Sequence, residues 1–341
     1  MHGKRRPVFA MLLGFVAAAL LAMFAGCNDP EAKSIAAMLS LAKQTCEPCY
    51  SVLRKLYFAL VQSELLSWHF YALVGVILVL QWIQPVYKGS GVFAGPFFHD
   101  FLWFLVDLLF VGILLPIYQT LLFRIYHSSL GFLHADIIKT WPLAGQILAA
   151  VFVADFIRWF HHLLRHKLAL FWYFHTVHHS QRDMNLFTDL RVHPVERLIE
   201  AGVSFIPFLS LRIDIALASF SGWNMFGIWY ARFYHSNIKT NLGILRYMMV
   251  TPQSHRIHHS RRKEHQDKNF GAIFSIWDHI FGTQYRKYDE YPETGIDDPS
   301  FPYESDPTWQ TRVGSLFLQL IYPFQLAFRS LMPRVPRNQT G

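Results

Sequence analysis

Thirteen of the chain's 18 histidines fall between residues 155 and 279, and most are spaced as metal ligands are. His162 and His166 stand at i, i+4, so on a helix they share a face. Asp155 and Arg158 fall on the same stripe, while His161 points about 100° away. His175, His178 and His179 have the pattern i, i+3, i+4, and His255, His258 and His259 repeat it about 80 residues later. On helices each triplet puts three imidazoles on one stripe. Imidazole binds iron, zinc and copper through a single nitrogen. A structural zinc site closes at four ligands, so eight clustered imidazoles exceed one zinc and suit two metals with positions left open. An open, paired, all-nitrogen site fits iron that binds dioxygen, because zinc has no redox chemistry. His161, His265 and His279 carry no assigned role, nor do His2, His69, His99, His127 and His134.

The elements that must position these residues are apolar. The chain has 341 residues, of which 52% are hydrophobic, 16% aromatic and 16% charged. Average soluble domains are about 25% charged. Mean hydropathy is +0.22. This composition excludes a disordered chain and a disulfide-rich secreted scaffold, and it points to an all-α, polytopic membrane protein. A spanning helix needs about 20 mostly apolar residues. Val8–Gly26, Leu65–Tyr87, Phe101–Phe123 (with Asp107 inside) and Thr140–Trp159 meet that need. Residues 198–232 read as a hairpin of two helices, 201–211 and 215–231. Val313–Phe328, broken by Pro323, reads as interfacial or re-entrant. The expectation is four to six membrane-embedded helices and a cytosolic, histidine-rich helical cap.

Orientation follows from lysine and arginine in the loops. Of the formal net charge of +8, residues 155–268 contribute 15 Lys and Arg against 8 Asp and Glu, a net +7. With Lys4, Arg5 and Arg6 inside, the histidine-rich segment also falls inside, which suggests a bacterial inner-membrane protein with a cytoplasmic site. The apolar run ending Phe24-Ala25-Gly26-Cys27 reads as a lipoprotein signal lipidated at Cys27, a cleaved secretory signal or an uncleaved anchor. Cys46 and Cys49 would face an oxidising compartment, and no thioredoxin-like context gives them a redox role. The chain divides into a signal or anchor segment with linker at 1–65, a membrane domain with the histidine boxes at 66–290, and a tail at 291–341.

The order HxxxH, HxxHH, HxxHH resembles the fatty acid hydroxylase superfamily, which includes sterol desaturases, carotenoid hydroxylases and alkylglycerol monooxygenase. Leu170-Phe-Trp172-Tyr-Phe174-His175 through Ser180 is similar to that family's link between its first two boxes. Arg191-Val-His193-Pro194-Val-Glu196 resembles its R-x-H-P-x-E segment, and Tyr234-His235-Ser236-Asn237 its H-S-N box. Thr251-Pro252, Asn269-Phe270-Gly271, Trp277-Asp278 and Phe281-Gly282-Thr283 complete the pattern over roughly 100–285. The resemblance implies iron ligands at His162, His166, His175, His178, His179, His255, His258 and His259, with His235 as an added ligand. It places Asp155, His193 and Asn269 around them, Asp155 as acceptor of a hydrogen bond from a ligand histidine.

The implied activity is hydroxylation or desaturation of an unactivated C–H of a lipid by a membrane-bound diiron oxygenase, with O2 as co-substrate. Two irons are the implied cofactor. No G-x-G-x-x-G fingerprint, haem motif or iron–sulfur cysteine set occurs in the sequence. Electrons must then come from a separate donor, a ferredoxin or cytochrome b5-like protein with its reductase, docked on the basic face. Two other readings stand beside this one. A zinc membrane hydrolase would carry a carboxylate base in its motif, as in H-E-x-x-H, and none occurs. A metal-binding or transport protein would place ionisable residues mid-membrane, where Asp107 is the clear example. Nucleic acid is not an expected partner, because the basic residues interleave with ligand spacing.

Overall fold

The computed structural model describes residues 68–88, 95–133, 140–210, 217–304 and 308–332. The signal or anchor at Val8–Gly26 and the cysteines Cys27, Cys46 and Cys49 lie outside them. Among the described residues there is no β-strand, only isolated bridges such as Met249 with Phe274. The chain folds as helices: α1 Trp68–Ile83, α2 Gly95–Ile125, α3 Leu143–Lys167, α4 Ala169–His179, α5 Pro194–Ser210, α6 Leu217–His235, α7 Pro252–His258, α8 Ile276–Ile280 and α9 Trp309–Leu331.

The sequence expectations and these helices differ in instructive ways. The apolar run Thr140–Trp159 does not end at the first histidine box: α3 carries it on through His166. The pair His162 and His166 is therefore rigidly continuous with the apolar helix. Arg165 and Lys167 stand in the last turn, where cations complement the carbonyl end of the helix dipole. Pro323 does not break the C-terminal helix, and α9 runs through it. A proline within a helix removes one N–H and crowds the preceding turn. Here the carbonyl of Leu320, in that turn, accepts a hydrogen bond from His193 Nε2 at 3.0 Å. Among the described residues, α3 alone is long and apolar enough to cross a membrane by length and composition, and α1 contains a shorter apolar stretch, Tyr71–Ile83.

α3 packs against α4, α5 and α6; α2 packs along α5; and α9 lies against α2 and α4. Two apolar cores result. Ile77, Phe104, Leu186, Phe187, Leu190, Trp229 and Ile238 form one. Leu102, Trp103, Val177, Phe301, Leu316 and Tyr322 form the other, under α9.

Between the cores runs a buried polar junction. Arg191, 1% exposed, donates to Asp100 Oδ1 at 3.0 Å, Glu304 Oε1 at 3.1 Å and Gln319 Oε1 at 3.2 Å. Its Nε donates to the Val177 carbonyl at 3.0 Å and the Ser180 hydroxyl at 3.1 Å. One guanidinium thus ties α2, the end of α4 and α9 together. Asp107, the mid-helix charge of α2, accepts from Arg197 of α5 at 2.8 Å, so it is paired rather than exposed to an apolar surround.

Candidate metal centre

The sequence builds each ligand helix locally. α7 begins with a reciprocal cap: Thr251 Oγ1 accepts from Ser254 N at 2.9 Å and Ser254 Oγ accepts from Thr251 N at 2.9 Å. Pro252 occupies the first turn, where its missing N–H costs nothing. This start sets the rotation of α7, so that His255, His258 and the following His259 face inward, all 5% exposed or less. α4 starts without a side-chain cap and turns His175, His178 and His179 inward as well, all 6% exposed or less.

The nine histidines with ligand expectations converge in two groups. His162, His166, His175, His179 and His258 form one; His178, His235, His255 and His259 form the other. In each group the facing nitrogens all lie within 4.8 Å of one another. The two HxxHH helices are shared crosswise. α4 gives its i, i+4 pair to the first group and His178 to the second; α7 gives His258 to the first and its i, i+4 pair to the second. The groups adjoin, with the rings of His179 and His259 stacked at 4.3 Å.

In the five-histidine group the Nε2 atoms are buried and have no hydrogen-bond partner. Their orientation is fixed from behind. His162 Nδ1 donates to the Phe270 carbonyl at 3.0 Å, His258 Nδ1 to the Lys268 carbonyl at 2.9 Å and His175 Nδ1 to Glu196 Oε1 at 2.9 Å. A carbonyl accepts only, so the proton sits on Nδ1 and the lone pair on Nε2 faces the centre. In the four-histidine group His235 Nδ1 donates to the Ala231 carbonyl at 2.7 Å. Its bare Nε2 lies 3.2 Å from His178 Nε2 and 2.8 Å from His255 Nε2, which is 3.1 Å from His259 Nε2. Imidazole nitrogens coordinated at about 2.1 Å stand about 3.0–3.4 Å apart in octahedral or tetrahedral geometry. The 3.1 and 3.2 Å spacings fall in that range, and the 2.8 Å spacing lies just below it. Burial, and then repulsion from neighbouring imidazoles, hold His175, His178, His179, His255 and His259 well below the ordinary histidine range. Burial pushes His258 down to about 4. All are neutral at pH 7, the form that binds metal. The donor set therefore fits two borderline cations.

The surrounding residues depart from expectation. Asp155 does not accept from a ligand histidine. Its carboxylate takes Ile273 N at 3.0 Å, Phe274 N at 3.2 Å and the Trp277 indole at 2.9 Å. Sharing a helix stripe with His162 gave its direction, not its partner. His193 lies apart from the two histidine groups: its Nε2 donates to the Leu320 carbonyl, its Nδ1 accepts from Val195 N at 3.1 Å, and its ring lies between Phe174 and Trp103. Glu196, quoted in the sequence pattern without a role, is the carboxylate behind His175, and Arg165 pairs with it at 2.7 Å. His161 turns from the centre and accepts from Arg165.

Asn269 sits at φ 59° between the two carbonyls that hold His258 and His162. Its amide donates to the Ser254 carbonyl at 2.8 Å and its Oδ1 accepts from Tyr285 N at 2.8 Å. The buried Asp278 holds the same loop, accepting from Phe270 N at 2.9 Å, Gly271 N at 2.8 Å, Trp159 Nε1 at 2.9 Å and Thr283 Oγ1 at 2.6 Å. Gly271 is required by space: a Cβ there would lie 2.7 Å from Val250 and 2.8 Å from the Phe274 carbonyl.

Comparisons with known proteins agree with this geometry. Residues 147–283 match the Fatty acid hydroxylase family. Human alkylglycerol monooxygenase is 32% identical over 143 residues, 42% of this chain and 31% of that protein. An ornithine lipid hydroxylase of Rhizobium tropici is 28% identical over 143 residues, 42% of this chain and 43% of that protein. A very-long-chain aldehyde decarbonylase of Oryza sativa is 26% identical over 155 residues, covering 24% of its length. The chain thus spans less than half the length of each of these relatives. No solved structure matches the chain. Box order, the convergence of the boxes and these matches together show that residues 147–283, two fifths of the chain, resemble the fatty acid hydroxylase superfamily.

Proposed function

We propose that this chain is a membrane-bound, two-iron oxygenase that hydroxylates or desaturates a C–H bond of a lipid. The observation that carries the reading is the pair of imidazole groups whose facing Nε2 atoms have no protein partner in the five-histidine group and meet only one another in the four-histidine group. Two bound irons would supply O2 activation, and hydroxylation then balances as RH + O2 + 2e⁻ + 2H⁺ giving ROH + H2O. His162, His166, His175, His179 and His258 would hold one ion; His178, His235, His255 and His259 the other. Lys268, Phe270, Ala231 and Glu196 keep the proton on the outer nitrogen of four of these rings, so the inner nitrogens are ready without reorganisation. The packed aromatic and histidine rings keep the centre dry. Neither group includes a carboxylate, and Glu196 is occupied by His175 and Arg165. An all-imidazole donor set of this kind suits borderline, redox-active cations such as iron.

The membrane assignment rests on α3 and on the apolar side chains exposed along α1, α2 and α9, including Trp82, Leu121, Phe328 and Leu331. Contiguous apolar exposure of that kind marks a contact with lipid or protein. The lipid class is supported by the alkylglycerol and ornithine-lipid relatives. For an acidic electron donor, the cations around the third box are partly committed. Arg261 pairs with Asp297, Arg262 and Lys287 with Glu290, and Lys167 with Asp267. Docking would then depend on exposed Lys263 and Arg286 and on exchange of these pairs.

The test is metal analysis of iron-supplemented, detergent-purified protein, followed by O2 uptake with a chemical reductant and a panel of membrane lipids. About two irons per chain and O2-dependent lipid oxidation are expected. A folded protein that takes up no metal under anaerobic reconstitution would overturn the reading. A label placed after Lys263 tests topology: it should react from the cytoplasmic side only.

A further inference from the structure

Residues 240–250 and 273–281 form a paired edge beside α3. Val250 N donates to the Ile273 carbonyl at 2.9 Å, Ser275 N to the Met248 carbonyl at 3.0 Å and Ser275 Oγ to the Arg246 carbonyl at 3.0 Å. At its tip, Leu242 and Gly243 both take left-handed backbone, φ 53° and 56°. Thr240 Oγ1 accepts from Leu242 N and Asn241 Oδ1 from Gly243 N. The reversal is thus a held turn, and it projects the next residues outward. Those residues are apolar: Ile244 is 82% exposed and Met248 61%, with Leu245 and Tyr247 beside them. The facing segment adds Ile276, Ile280 and Phe281, all exposed.

The edge is fused to the apolar helix. Phe274 stacks on Phe152 at 5.3 Å, Trp277 meets Phe156 at 5.1 Å and Phe281 stacks on Trp159 at 4.6 Å. α3 is itself exposed at Leu143, Leu148, Phe152 and Phe160. Apolar surface therefore continues from the helix onto the edge. Arg246 lies against the rings of Tyr247 and Tyr288, and Arg286 is exposed nearby.

We propose that this edge is an interfacial anchor. It lies in the headgroup and upper acyl region of the leaflet that α3 leaves, and it seats the histidine-rich end on the bilayer; this rests on the membrane reading of α3. Three observations select a bilayer as the occupant. The surface is continuous with the helix that meets the crossing criteria. Tyrosine and tryptophan rings lie where apolar and charged surface meet, as in membrane-interface belts. The neighbouring cations are arginines, which suit anionic headgroup phosphates. The anchor also fixes height. Trp159, stacked on Phe281, bonds Asp278 and lies three residues before the ligand His162, so the metal centre sits at a set depth relative to the lipid.

The test uses the full chain in phosphatidylcholine–phosphatidylglycerol vesicles, with Cys27, Cys46 and Cys49 replaced by serine. Single cysteines at Ile244, Met248 or Phe281 carry a fluorescent label; Leu148→Cys and Lys263→Cys are the lipid and water references. The anchor predicts that labels at 244, 248 and 281 are quenched by shallow spin-labelled lipid several-fold more than by iodide. Lys263 should behave oppositely. Iodide quenching at 244 and 248 with lipid quenching at Leu148 overturns the anchor and leaves the membrane reading standing. Loss of lipid quenching at Leu148 removes both. Shielding of 244 and 248 from both quenchers overturns the anchor in favour of a protein cover, such as a second copy of this chain.

Discussion

Replacing His258 with alanine takes one donor from the five-imidazole group and leaves the Lys268 carbonyl without its partner. His161→Ala removes a ring of the same chemistry, four residues from Arg165, that faces away from the centre. We expect His258→Ala to lose clearly more iron than His161→Ala under identical loading, as metal analysis would read; equal retention in both would remove His258 from the ligand set. The ligand spacings are legible in sequence because coordination demands fixed intervals on a helix. Their allocation is not. Nothing in HxxHH says that His178 leaves its triplet for the other group, because that depends on how α4 and α7 cross. Asp155 teaches the same lesson. Helical periodicity gave its direction, while its partners Ile273, Phe274 and Trp277 lie about 120 residues away in the chain.

At the scale of elements, the loop 268–271 does what a helix cannot: it presents two carbonyls, from Lys268 and Phe270, to rings on two different helices. Asp278 is its main fastening. Asn at 278 would turn an amide N–H toward donors that need an acceptor, and each buried donor left unpaired costs about 1–3 kcal/mol. Asp278→Asn is expected to lower the thermal midpoint and to weaken metal binding about 10–100-fold, the usual range for outer-shell partners. Transfer of iron to a chelator reads the second effect; an unchanged transfer rate with a lowered midpoint would make Asp278 purely structural. The motif Asn269-Phe270-Gly271 was visible in the sequence, but its reason was not. It lies in a left-handed residue and a glycine pressed against Val250 and Phe274. The junction at Arg191 was hidden for a simpler reason: Asp100 and Glu304 are 91 and 113 residues away along the chain.

For the whole molecule, burying so many imidazoles couples stability to pH. Their folded-state values lie below the unfolded value near 6.5, so they stay neutral where an unfolded chain would take up protons. With metal removed, stability is therefore full above about pH 6.5 and falls as the pH drops toward about 4, where His258 begins to protonate in the fold. Thermal denaturation of chelator-treated protein at pH 7.5 and 5 should show the lower midpoint at pH 5, and metal loading should narrow the gap; a midpoint independent of pH would contradict the burial described. The all-helical architecture was legible from composition and apolar runs. The exact ends of helices were not, because α3 keeps its helical hydrogen bonds through a polar box and α9 passes through Pro323.

The crosswise sharing of the two triplets has one more consequence. Once an ion is held by His175, His179 and His258, the rotations of both α4 and α7 are set, and with them the aim of His178, His255 and His259. Much of the ordering needed at the second position is then already done. Loading should therefore be cooperative. Ferrous titration of the apo protein without oxygen is expected to give a steep, single rise to full occupancy, with half-filled molecules scarce; two separate, independent rises would count against coupling through the shared helices.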